Sequence, residues 1–219
     1  MNIEVFLLNV EFLQNQDVFA TKLRHVSKER REKINRLKNQ ADKYRSLGAG
    51  LLLERVLKEH FIDPSNLVEG DYGKPEVPGS DFYFNLSHSG DYVALVIGKC
   101  PVGIDIQEHR KFKNDIPKRF FCQEEAAHIG KKKTEEEKQN LFFRYWSAKE
   151  SFVKLTGEGM KRDFHSFFVD LKNDRILSKD KAEQLAYLME YPCLENYTIM
   201  VSSEDKPDNR LFKSIYYKL

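Results

Sequence analysis

Two short stretches place acids where packing alone would not put them. In VGIDIQ, residues 102–107, strand alternation sends Val102, Ile104 and Ile106 to one side and Gly103, Asp105 and Gln107 to the other. Aspartate is disfavoured in strands, and standing alone it would read as an exposed strand end. In FFRYWSAKESFVK, residues 142–154, a helical period gathers Phe142, Phe143, Tyr145, Trp146, Phe152 and Val153 on one broad arc. Lys149 and Glu150 project from within that arc, where an unpartnered charge is costly to bury. Two carboxylates on two elements facing one interior suit a hard divalent cation. Mg²⁺ takes oxygen ligands and is often held by one or two carboxylates plus phosphate oxygens. Lys149 and Lys154 then supply positive charge for the phosphates. Taken singly, Glu150 and Lys154 are four apart on a helix and equally form a surface ion pair.

Other stretches add weaker pieces. NLSHSGDY, residues 85–92, reads as a tight polar turn between apolar strands, and its hydroxyls, imidazole and backbone N–H groups could cradle an anion. A plain hairpin turn explains it as well. DYGKP, residues 71–75, is a second glycine turn carrying Lys74. Between Lys22 and Arg45 the chain is dense in lysine and arginine, which suits a phosphate patch or a solvated helix with ion pairs such as Glu29 to Lys33. P-loop, dinucleotide, zinc-protease and nucleophile-elbow spacings are absent from the sequence.

These residues must be positioned by a mixture of helices and strands. Alternation predicts strands near residues 2–10, in FYFNL, YVALVIG and VGIDIQ, and again in SFFVDL, YTIMVSS and LFKSIYYKL. Helical periods run from Val18 to Leu37, Lys43 to His60, Ile116 to Ile129 and Glu136 to Leu155. YRSLGAGLL and YWSAKESFV share a Tyr-x-Ser start, a weak sign of duplication. The reading is an α+β chain of two halves, residues 1–101 and 102–219, with a functional crevice between them.

Composition is that of an ordinary globular protein, with 41% hydrophobic and 32% charged residues over 219 positions. A net charge of only +2 gives no general attraction to nucleic acid or membrane. The N-terminal MNIEVFLLNVEFL lacks a basic region and a cleavage site, and it alternates like a strand. Cys100, Cys122 and Cys193 are odd in number and lack metal-ligand spacing, so they read as free thiols in a reducing cytoplasm.

Taken in order, YGKP (72–75), FNLSHSGDYVAL (84–95), VGIDIQ (102–107), KRFFCQEE (118–125), WSAKESFVKLTGEGM (146–160) and SFFVDL (166–171) resemble the phosphopantetheinyl transferase family. The resemblance is to its longer, two-subdomain, surfactin-synthetase-activating kind. Upstream, ERREK (29–33) and YRSLGAGLLLERVL (44–57) fit the family's first half, so the resemblance covers about residues 28–171. It implies two similar α/β subdomains related by a pseudo-twofold axis, each a small, mostly antiparallel sheet packed with helices. The activity implied is Mg²⁺-dependent transfer of the 4′-phosphopantetheine arm of coenzyme A, the co-substrate, to a serine of an apo acyl, peptidyl or aryl carrier protein, releasing 3′,5′-ADP. The setting implied is nonribosomal peptide, polyketide or fatty-acid biosynthesis, and the protein a cytoplasmic monomer. Mn²⁺ is an acceptable substitute metal.

By the same resemblance Asp105 and Glu150 hold the metal, and Glu150, directly or through water, is the candidate base. Lys154 lies on the pyrophosphate, and Ser87 and His88 contact coenzyme A phosphates. Arg30, Lys33 and Arg45 match the family's 3′-phosphate contacts, with Lys74 in its adenine-side turn. The first half then carries the nucleotide contacts, and the second the metal and pyrophosphate site. One departure stands out: many members carry a third acid where this chain has Gln107. Its amide oxygen can ligate a metal without adding charge, and a water can take that place instead. The alternative reading is a non-catalytic coenzyme A-binding or carrier-docking protein, and Gln107 is its only sequence hint.

Overall fold

The structure is a computed structural model that describes residues 2–70, 75–112 and 115–215. Strand β1 (Asn2–Asn9) leads through helices α1 (Gln16–Arg24) and α2 (Lys28–Arg36) to the long α3 (Gln40–Glu59). The two-residue strands β2 (Val68–Glu69) and β3 (Pro75–Glu76) follow, then the hairpin β4 (Tyr83–Ser89) and β5 (Tyr92–Gly98). The second half opens with β6 (Val102–Glu108), α4 (Ile116–Phe120), α5 (Gln123–Gly130) and the long α6 (Glu135–Thr156). It continues with β7 (Phe167–Asp170), β8 (Arg175–Ser178), β9 (Gln184–Glu190), β10 (Tyr197–Ser203) and β11 (Asn209–Ile215).

The strands form two main sheets, ordered β11-β1-β5-β4 and β6-β10-β9-β8-β7. Their connectivity repeats. In each half the first strand pairs antiparallel with the last strand of the unit, β1 with β5 and β6 with β10, and the penultimate strand, β4 or β9, lies beyond it. Each unit also carries one long helix between its first strand and its hairpin. This is the α+β architecture of two sheet-and-helix subdomains. β11 breaks the pattern, since it runs parallel to β1 and adds to the first sheet from the far end of the chain.

Each sheet buries both faces. Phe6, Leu8, Val93, Leu95 and Ile97 pack on Leu47, Leu52, Val56 and Leu57 of α3. Val169, Ile176, Leu188 and Met200 pack on Phe142, Tyr145, Phe152 and Val153 of α6. The remaining faces meet each other: Ile3, Val5, Leu7, Ala94 and Val96 join Val102, Ile104, Ile106, Ile199 and Val201 in a third core. The order is helix, sheet, sheet, helix. Full burial of side chains this size stabilises by about 1.5–3 kcal/mol each, so the inter-sheet core fixes the two halves against one another.

Local chemistry redraws several boundaries. The period over Val18–Leu37 is two helices, because the Ser27 hydroxyl accepts from Arg30 N–H at 3.2 Å and starts α2 afresh. The period over Ile116–Ile129 also divides, with Glu125 reaching back to the Cys122 N–H at 2.9 Å. β4 runs on through Ser89, so Ser87 and His88 are strand residues and the turn is confined to Gly90 and Asp91. Gly90 has φ +54°, and a Cβ there would lie 2.1 Å from the Tyr197 hydroxyl. β8 and β9 have no counterpart in the sequence reading: RILS is very short, and QLAYLME opens with good helix formers.

One glycine sets how closely β6 and α6 approach. A Cβ on Gly103 of β6 would lie 2.0 Å from Ser151 O and 2.5 Å from Leu155 N of α6. Both are backbone atoms of a packed helix. Ser151 and Ser202 of β10, joined Oγ to Oγ at 2.8 Å, keep the rest of that contact thin. Gly103→Ala is therefore expected to push α6 off the sheet, at a cost of about 1–3 kcal/mol. A displacement near 1 Å would lower any activity needing Asp105 beside Glu150 about a hundredfold. A thermal melt and an initial-rate assay on the same preparation check both numbers.

Candidate active site

The crevice expected between the halves is a seam where two edge strands, β4 and β6, lie side by side. Asp105 of β6 is only 1% exposed. Its Oδ1 accepts from Lys154 Nζ of α6 at 2.7 Å and from Ser87 Oγ of β4 at 3.0 Å. Ser87 Oγ in turn accepts from Lys154 Nζ at 2.8 Å and from Ile106 N–H at 3.3 Å. The one hydroxyl proton of Ser87 is thereby committed to Asp105. Gln107 donates from Nε2 to Asp105 Oδ2 at 3.1 Å. Because a carboxylate only accepts, this contact turns the amide nitrogen of Gln107 toward the site and its oxygen away.

Glu150 stands half-buried one helical turn before Lys154. Its carboxylate makes no hydrogen bond or ion pair among the described residues. Burial pushes its pKa up, the nearby charge of Asp105 pushes it further, and Lys154 offsets part of the rise. Two mutually repelling acids, one of them paired with Lys154, make an oxygen-only donor set. No group of three or more histidines, cysteines and acids is assembled among the described residues. Such a pair fits Mg²⁺, which keeps most of its waters and accepts few protein ligands. A softer metal would find no sulfur or imidazole here.

His88 leaves β4 on the face opposite Ser87, toward α3. Its side chain is exposed to solvent. The crowded walls hold its pKa below the usual histidine value, helped by the charges of Arg45 and Lys154. Arg45 of α3 donates from Nη1 to Gly90 O at 2.8 Å and pairs with Asp42 at 2.5 Å, so it also braces the turn after Ser89. Arg30 lies half-buried across Gly50 of α3, and burial lowers its pKa; Lys33, one turn on, is exposed. Arg30, Lys33, Arg45 and His88 therefore flank α3, while Asp105, Glu150, Lys154 and Ser87 form the group at the seam. Lys74 lies outside the described residues.

Lys149 is a correction. It does not face the crevice beside Glu150 and offers nothing to a phosphate. It is 0% exposed, 3.1 Å from the equally buried Glu125, and donates to Phe164 O at 2.8 Å and Phe167 O at 3.0 Å. Burial lowers its pKa, and Glu125 opposes that shift. Adjacent helical residues point about 100° apart, enough to send one into the core and the other to the seam. Glu125, which sequence reasoning missed, carries a readable trace in its place three residues after Cys122 at a helix start.

Beyond Lys154 the crevice opens into a cavity of about 810 Å³, walled by Leu155, Thr156 and Gly157 at the end of α6, by Tyr83 and Phe84 of β4, and by Pro101. Its described lining holds no lysine or arginine.

Comparison with known proteins shows the family of the chain. The profile of the 4′-phosphopantetheinyl transferase superfamily matches residues 101–200, and that of the 4′-phosphopantetheinyl transferase N-terminal region matches residues 13–99. A 4′-phosphopantetheinyl transferase of Bacillus subtilis is 34% identical over 182 residues, covering 80% of this chain and 81% of that protein. The 4′-phosphopantetheinyl transferase Sfp of Bacillus subtilis strain 168 is 35% identical over 153 residues, 68% of each chain. The enzyme gsp of Aneurinibacillus migulanus is 31% identical, covering 89% of this chain and 83% of its own.

Proposed function

The chain belongs to the 4′-phosphopantetheinyl transferase superfamily, and we propose that it transfers the 4′-phosphopantetheine arm of coenzyme A to a serine of an apo carrier protein. The convergence of Asp105, Glu150, Lys154 and Ser87 at one seam carries this reading. The serine oxygen forms a bond to the β-phosphorus, the bond from that phosphorus to the bridging oxygen breaks, and 3′,5′-ADP leaves with the electron pair.

Phosphoryl transfer asks a protein chiefly for positioning and charge neutralisation. Asp105 and Glu150 would hold Mg²⁺, which when bound neutralises pyrophosphate charge. Glu150, half-buried at the seam, is the group to receive the carrier serine's proton, directly or through a water. Lys154, already 2.7 Å from Asp105, sits where it can meet the charge that shifts onto the leaving phosphate. Ser87 meets a phosphate only by turning its hydroxyl away from Asp105. His88, Arg45, Arg30 and Lys33 form the basic flank for the 3′-phosphate. The cavity beyond Lys154, lined by prolines, aromatic rings and the acids Glu69 and Glu76 with no described cation, suits an uncharged part of coenzyme A and not its phosphates.

Gln107 belongs to the site through Asp105, which it steadies by its N–H. With its N–H turned to Asp105, Gln107 would leave to a water the place where many members have an acid. We place the protein in the cytoplasm as a monomer: its three cysteines are free thiols, and one chain supplies both walls of the crevice. No helix among the described residues is long and apolar enough to cross a membrane.

Intact-mass spectrometry of an apo carrier incubated with this protein, coenzyme A and Mg²⁺ tests the reading. The expected result is a gain of one phosphopantetheine, abolished by EDTA. Coenzyme A binding without any mass gain on fatty-acid, polyketide and peptide carriers would support the non-catalytic alternative.

A further inference from the structure

β4 and β6 are neighbouring edge strands, yet no backbone ladder joins them among the described residues: β4 pairs with β5, and β6 with β10. An edge strand leaves every second N–H unpaired, and buried ones must be satisfied. Here three side chains replace the missing ladder. Asn85 Oδ1 accepts from Ile104 N–H at 3.0 Å, Ser87 Oγ from Ile106 N–H at 3.3 Å, and Ser89 Oγ from Glu108 N–H at 3.0 Å. The acceptors are alternate residues of β4, so they share one face, and the donors are alternate residues of β6. The polar residues of NLSHS thus zip the two sheets together one side chain apart.

Asp105 sits between two of these contacts. Its backbone is held by Ile104 on one side and Ile106 on the other, and its side chain points at Ser87, Lys154 and the Glu150 region. We propose that Asn85 and Ser89 are positioning residues: through the backbone of β6 they fix the height of the metal-binding aspartate against α6. The inference rests on the proposed transferase reading, since it presumes that Asp105 holds a metal. Neither residue need touch substrate. Removing an outer contact that orients a metal ligand ordinarily costs about 10–100-fold in affinity or rate.

The test uses the full-length chain with Asn85→Leu, Ser89→Ala and the conservative Ser89→Thr. Three readouts are taken on each: Mn²⁺ affinity by electron paramagnetic resonance with coenzyme A present, kcat and KM for carrier modification, and the thermal midpoint. Asn85→Leu and Ser89→Ala are expected to weaken Mn²⁺ binding and lower kcat about tenfold each, with KM for the carrier unchanged. Ser89→Thr, which keeps the hydroxyl, is expected to stay near the unaltered protein. Ser89→Ala deletes one oxygen at a partly exposed position, so it keeps the test open should Asn85→Leu fail to fold. A lower thermal midpoint with unchanged Mn²⁺ affinity and kcat in both variants would reduce the zipper to a stabilising contact and overturn the proposal. If the unaltered protein neither takes up Mn²⁺ nor modifies a carrier, the reading of the site is wrong and the proposal falls with it.

Discussion

Glu150→Gln is expected to yield a folded protein that modifies carrier at less than about a thousandth of the unaltered rate. Loss of a positioned base typically removes 10²–10⁴-fold, and the same change also strips one of the two charges available to Mg²⁺. Glutamine keeps the shape of the side chain, so the helix and its packing need not change. Stability should move the other way. Burial and Asp105 raise the pKa of Glu150, which means that the folded state disfavours its charged form. A carboxyl with a raised folded pKa contributes most below its unfolded value, and that contribution is lost as pH rises through the folded value. In EDTA the unaltered protein should therefore lose stability as pH rises from the ordinary glutamate value of 4.5 through the raised one. Glu150→Gln should flatten that slope and be at least as stable at pH 7. Melts across this range, with and without Mg²⁺, read the stability arm, and intact-mass kinetics read the other. A variant retaining a tenth of the activity would remove Glu150 from both roles.

The same physics shows why this acid was visible in the sequence. Asp105 in a strand and Glu150 on an apolar helix face each violate a packing rule, and such violations mark places where something other than packing decides the residue. Both acids do face the seam. Lys149 violates the same rule for a different reason. Its partner is Glu125, 24 positions away, and no local pattern links a helix interior to the start of an earlier helix. Periodicity therefore found the anomaly but assigned it to the wrong neighbours. NLSHS was misread similarly. Its alternation of polar residues is a strand signal, yet Ser, His and Gly together look like a turn until β6 is known to lie alongside. Likewise alternation puts Gly103 on the face of Asp105, and only the approach of α6 shows that a side chain would not fit there. What escaped the sequence was pairing across the two halves. Which strand edges meet is set by the third core, and its residues look like any other apolar strand positions.

Breaking the Lys149–Glu125 pair should produce the largest stability loss in the molecule's second half. Both groups are 0% exposed, so removal of either leaves a buried charge without its counterpart. Such losses run to about 3–5 kcal/mol, against a whole-domain stability of about 5–15 kcal/mol. For a chain of this size, that lowers the thermal midpoint by roughly 6–20 °C. Swapping both residues for hydrocarbons can be neutral elsewhere, but it should fail here because the pair is wired into backbone. Lys149 Nζ serves Phe164 O and Phe167 O, while Glu125 Oε1 serves Val169 N–H at 2.9 Å and Oε2 serves Cys122 N–H. Lys149→Met with Glu125→Leu would orphan two carbonyls and two N–H groups, each costing about 1–3 kcal/mol. Lys149→Met with Glu125→Gln removes both charges and keeps an acceptor oxygen, so it should be the least damaged of the set. That ordering separates the core reading from a phosphate-binding one. If Lys149→Met lowered coenzyme A affinity while leaving the melt unchanged, Lys149 would belong to the site after all. If the melt falls and Glu125→Gln partly restores it, the lysine next to Glu150 is there to seat α6 on α5 and on the loop that leads into β7.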